Sequence, residues 1–161
     1  MNTDDLRVLM VRDLRALARE VAAYPDDASV WGEVPGLANA GGTLVLHLAG
    51  NVQHFIGAVL GGSGYVRDRD AEFGRRGVSR AELVSQVEAA IVQVERVVPA
   101  LTPERLGAAY PIEVGGHRMV TSRWLLHLVS HLAYHLGQVD YHRRMVAPAS
   151  GTVGTMAIPA E

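Results

Sequence analysis

The chain has 161 residues, 48% of them hydrophobic and 20% charged, which suits one domain with a sizeable core and argues against disorder. Its formal net charge of -2 gives no basis for a nucleic-acid or anionic-membrane partner. Cysteine is absent, so disulfides, thiolate metal sites and a cysteine nucleophile are excluded.

The first residues, MNTDDLRVLMVRDL, are acidic and then amphipathic, without a basic stretch ahead of an apolar one. No signal peptide is expected, and the expected location is cytoplasmic. Leu6, Leu9, Met10, Leu14, Leu17 and Val21 recur at helical spacing and predict an amphipathic helix over 3–23. A loop rich in Pro, Gly, Asp and Asn follows, from which Asn39 or Thr43 can cap a second helix over 40–60. GGSG at 61–64 ends that helix. YVRDRDAEFGRRG reads as a charged surface connection. Ser79 and Glu82 fit a capping box for a third helix, whose stripe is Leu83, Val87, Ile91, Val94 and Val98. Thr102-Pro103 can open one short turn. YPIEVGGHRM suggests a small extended hairpin. The last helix starts at Thr121 or Ser122 and runs to about Met145.

Two apolar stretches, 43–60 and 124–139, approach the length of a membrane span, but His, Asn or Gln interrupts each. Core helices are the expected reading, with no membrane partner. The whole predicts an all-α fold, an antiparallel four-helix bundle over 1–147, followed by a loosely held extension over 148–161.

The last helix carries HLVSHLAYHLGQVDYH. At about 100° per residue, His127, His131 and His135 fall at roughly 0°, 40° and 80°, bordering the apolar stripe of Leu125, Leu128, Leu132, Leu136 and Val139. On the second helix His47 and His54 lie within about 20° of each other, again beside an apolar stripe. If the two helices are neighbours, their histidine edges meet. Histidines four apart can converge on one ion, and a third ligand from the second helix leaves positions open for water or substrate. Spacing alone does not choose between His127/His131 and His131/His135. His117 and His142 are expected to be structural or exposed. HExxH fails because Leu132 follows His131, and a di-iron site fails for want of Glu on the second and fourth helices. No phosphate-binding loop is present, and spacing supports no Ser-His-Asp triad.

LHLAGNVQHF, HFIGAVLGG, YVRDR and HLVSHLAYHLGQVDYHRR resemble the DinB/YfiT-like superfamily of four-helix-bundle proteins, in a branch without assigned activity. The resemblance runs from the first helix to about Met145. It implies a metal held by His47, His131 and His135, the last two through HxxxHxGQ. It leaves His54 and His127 as candidates to line the cavity or assist a substrate. Gln138 is placed to orient a neighbour. Characterised relatives include transferases and isomerases that use mycothiol, bacillithiol or glutathione, and homodimers are usual among them.

The leading expectation is thus a metal-dependent transferase that activates a low-molecular-weight thiol against a small electrophile. A divalent metal can deprotonate such a thiol at neutral pH. Zinc is the default, with nickel, iron or manganese also suited to three histidines. His54 or His127 can move a proton, and Arg143 and Arg144 can meet a thiol's carboxylate or simply favour the helix C-terminus. The alternatives are a metal-dependent hydrolase that activates water, and a metal-binding dimeric helical protein without catalysis.

Overall fold

The computed structural model describes residues 2–154 and is all-α, with six α-helices and no strand among those residues. Helix α1 spans Thr3–Ala22. The Asn2 side chain accepts from the Asp4 amide at 2.9 Å, and Asp4 and Asp5 oppose the helix dipole. Of the predicted stripe, Leu6, Met10, Leu14, Leu17 and Val21 are buried and Leu9 is half-buried.

Helix α2 spans Gly41–Val52 and continues directly into a π-helical segment, Gln53–Leu60. Every residue of Gly41–Val52 is buried. A helix apolar on all sides belongs at the centre of a protein, and α2 packs on α4 and α6 and also against α3. Gly41–Leu60 is long and apolar enough to cross a membrane by length and composition, but it is mostly enclosed within the protein. Neither Asn39 nor Thr43 caps α2. Ala40 stands at the N-cap without a side-chain bond.

Helices α3 (Arg69–Gly74), α4 (Arg80–Val97) and α5 (Pro103–Gly107) are each capped by a side chain, from Asp68, Ser79 and Thr102 respectively. Helix α6 runs from Thr121 to Val146. Thr121 does not cap it; its hydroxyl donates to the Ala108 carbonyl at 3.1 Å, tying the helix start to the preceding segment. That segment forms isolated antiparallel bridges, Ala109 with Val120 and Val114 with His117. Gly115 and Gly116 turn it at φ 58° and 77°. The expected hairpin is present as these bridges. Helix α1 packs on α4 and α6, so α4 and α6 each touch both α1 and α2.

The C-terminal segment is held more firmly than its sequence suggests. The Arg143 side chain is fully buried, donating to Glu20 at 2.5 Å and to Asp140 at 3.3 Å. It also reaches the Ser150 hydroxyl and the Gly151 carbonyl. Arg19 donates to the carbonyls of Val153 and Gly154, both at 3.3 Å. Residues 148–154 are therefore fastened to α1 and α6; the rest of the expected extension, 155–161, lies outside the described residues.

Removing one partner of a buried ion pair leaves an uncompensated charge. Glu20→Ala is expected to cost about 3 kcal/mol or more, whereas Arg144→Ala, which removes a solvent-screened cation, should cost much less. Urea unfolding of both variants checks the contrast; equal losses would contradict it.

Candidate metal centre

The histidine edges of α2 and α6 do meet. One nitrogen from each of His47, His131 and His135 lies within 4.8 Å of the others, a grouping that could hold a metal ion. The Nε2 atoms of His47 and His131 approach to 3.2 Å. Bonds of about 2.0–2.1 Å to a tetrahedral ion would separate two nitrogens by roughly 3.3 Å, so this spacing fits two ligands of one ion. The three rings stand nearly edge-on, at 77° to 88°.

The outer nitrogens are largely committed. His47 Nδ1 lies 3.1 Å from Glu72 Oε2, and His135 Nδ1 lies 2.6 Å from Gln138 Oε1. Glu72 Oε2 can only accept, so its bond to His47 requires the proton on Nδ1; His135 donates likewise where the Gln138 amide turns its oxygen to the ring. His131 differs: its Nδ1 is buried without a partner among the described residues.

Glu72 is itself enclosed and receives two bonds from Arg67, at 2.7 and 2.8 Å. Burial pushes its carboxyl up, but the bonds from His47 and Arg67 together prevail and hold it below the usual range. An ionised carboxylate therefore sits behind His47, the orienting arrangement common behind metal-bound histidines. Gly50 makes it possible, because a Cβ there would lie 2.2 Å from Glu72 Oε1. Phe73 packs on the His47 ring at 4.9 Å. The charged connection is thus not merely surface: it folds as α3 and delivers Glu72 and Phe73, with Arg67 just ahead of it. None of these residues carries a helical or strand period that would mark it beforehand.

The other candidates stand apart from the three. His127 is exposed, stacks on Trp124 at 4.8 Å, and lies 6.0 Å from His131. His54 falls in the π-helical segment, where the α-helical angle no longer applies, and packs against Phe55 at 4.8 Å. Burial and the nearby Arg67 charge lower its pKa. His142 is buried, bonded to the Tyr24 hydroxyl at 2.7 Å and the Gly32 carbonyl at 2.8 Å. Arg144 pairs with Asp140 and lies over Tyr141. The expectation that Arg143 meets a thiol carboxylate is corrected, since its guanidinium is enclosed and already paired with Glu20. The cation beside the histidines is Arg67, 3.3 Å from His47 Nδ1.

Together these features define an all-helical protein with a three-histidine group suited to a metal ion. The chain belongs to the family described as Protein of unknown function (DUF1572), whose model matches residues 4–160. No curated protein matches it.

Replacing Glu72 by Gln, or forcing it aside with Gly50→Ala, should weaken metal binding by about 10- to 100-fold. His142→Ala should not. Competition titration with a chelating indicator measures all three, and unchanged affinity in both site variants would remove Glu72 from the centre.

Burial, with the neighbouring histidines and Arg67, pushes His131 from its usual 6.5 down to about 4, and burial also lowers His135 and His54. Between those values the unfolded chain binds more protons than the folded one. The metal-free protein should therefore keep the full contribution of these rings above about pH 6.5 and lose it progressively toward about pH 4. Denaturant unfolding across that range checks the sign; stability that rises on acidification would refute it.

Proposed function

We propose that the chain is a metal-dependent transferase for a low-molecular-weight thiol, built on a DinB/YfiT-like antiparallel four-helix bundle. The single observation that carries the proposal is the donor set: three imidazoles and no carboxylate among them. Such a set leaves the charge of a divalent ion unneutralised and coordination positions open, which favours an incoming anion. When bound, zinc, or nickel, iron or manganese in its place, supplies a Lewis acid that lowers the thiol pKa toward neutrality and holds the thiolate. His47, His131 and His135 would hold the ion. Glu72 fixes the His47 tautomer, and Gln138 does the same for His135.

His127, exposed and with its ring 6.0 Å from that of His131, is the group proposed to take the thiol proton toward solvent. The sulfur lone pair then forms the new bond to the electrophile, whose leaving group departs with its bonding electrons. Bacillithiol, mycothiol and glutathione are the thiols to try. A hydrolase would draw on the same three ligands with water as nucleophile; Glu72, the carboxylate bonded to His47, is already committed to that ring and to Arg67, so a histidine would have to serve as its base. A homodimer completes the proposal.

The test is conjugation of a generic electrophile across that thiol panel, using metal-loaded protein. Thiol-dependent turnover is expected, falling to background in His131→Ala together with metal content. Turnover that persists in metal-free His131→Ala, or ester cleavage that ignores the thiol, would defeat the reading.

A further inference from the structure

Gly137 lies midway along α6, two residues after His135, in ordinary helical conformation. Glycine is disfavoured inside a helix relative to alanine. At the glycines inside the helical stretch 41–60 a neighbour fills the space that a side chain would take, Trp31 at Gly42, Glu72 at Gly50 and Gln93 at Gly57, whereas Gly74 and Gly107, the last residues of α3 and α5, stand open. At Gly137 a Cβ would meet nothing within 4 Å. The chain makes no use of that space.

The space belongs to a cavity of about 290 Å³ between α6 and the segment entering α2. Leu37 and Leu44 form one side, and Tyr134, Gly137, Gln138 and Tyr141 the other. No charged side chain lines it. Tyr134 and Tyr141 are each 65% exposed and stand one on either side of Gly137 in the chain. The cavity is also coupled to the histidines. Gln138 lines it and bonds His135 at 2.6 Å, while the Tyr134 ring lies 5.1 Å from that of His135.

We infer that this cavity seats the uncharged, apolar part of a small-molecule substrate, an aromatic group above all, with its reactive end toward His135. Two tyrosine rings flanking a bare stretch of helix offer faces for a flat group. The absence of charge in the lining disfavours an ionic guest, because burial there would not be compensated. Assigning the guest as the electrophile of the transferase rests on that reading; binding of a neutral aromatic group does not.

The test uses N-phenyl-1-naphthylamine, an uncharged aromatic fluorophore, with full-length metal-loaded protein. Wild-type protein should bind it, and Gly137→Leu, which fills the cavity from its floor, should weaken binding by about tenfold or more. Metal affinity and thermal stability should hold in that variant. Tyr134→Ser, at an exposed position, provides a second variant with the same expectation should Gly137→Leu fold poorly. Unchanged dye affinity in both variants would overturn the inference. So would dissociation of a dimer by Gly137→Leu in light scattering, which would show that a second copy covers the space. The two proposals fail separately. Loss of dye binding in a protein that conjugates no thiol leaves the cavity assignment standing and the transferase reading defeated. Thiol conjugation of an aromatic electrophile with KM unchanged in Gly137→Leu does the reverse.

Discussion

The site depends on the hydrogen bond between His47 and Glu72. A carboxylate as enclosed as Glu72 is costly to keep ionised, and Arg67 offsets that cost with two parallel bonds. The assembly then constrains its neighbours. Glu72 needs the space that Gly50 leaves empty, one turn along α2 from His47. It also needs α3 pressed against α2, which the buried, apolar surface of α2 favours. Because the carboxylate accepts and cannot donate, it fixes the proton on Nδ1 and aims the His47 lone pair at His131 and His135. The charged connection thus sets the chemistry of the apolar helix.

Helix α6 divides its labour along its length. Its middle turns His131 and His135 toward His47 of α2, while Gly137 and Gln138 line the neighbouring cavity. Its C-terminal part carries Asp140, His142 and Arg143 into contacts with α1, the Tyr24 hydroxyl and the segment 148–154. Arg143 is enclosed with Glu20 and Asp140, while Arg144, one residue later, is half exposed. The buried pairing holds the end of α6 against α1, so the histidines in its middle are borne on a helix anchored beyond them. A site that must keep three nitrogens within a few ångströms of each other benefits from rigid elements.

The long helices could be read from the sequence because their apolar residues repeat at the helical period, and that period reports directly on burial. The same arithmetic placed histidines of α2 and α6 at matching edges. It failed at His54, where the chain changes to wider π turns at Gln53. It left open which pair on α6 faces α2; the resemblance favoured His131 and His135, and the geometry groups these two with His47. Arg67, Glu72 and Phe73 are not legible in the sequence, because the six residues of α3 are too few to show a period and a charged residue in such a connection normally faces water. The enclosure of Arg143 is illegible in the sequence for a related reason. A cation near a helix end is favourable whether exposed or enclosed, and its partner Glu20 is 123 residues away in the chain.

A metal site and a packed core make opposed demands on the same helix. Packing favours side chains that fill space, and α2 meets this wherever a glycine is matched by a neighbour's side chain. Gly137 breaks the pattern on α6, beside the one flank where the histidines approach the surface. His131 is similarly unmatched, with a buried Nδ1 that no described residue satisfies. Uncompensated features in a native protein are expected to cluster where function overrides stability. They lie within six residues of each other on α6 but about 120° apart around it, on either side of Gln138, which lines the cavity and bonds His135. Gln138 joins the two, and the turn of α6 around it is where the histidine group and the cavity adjoin.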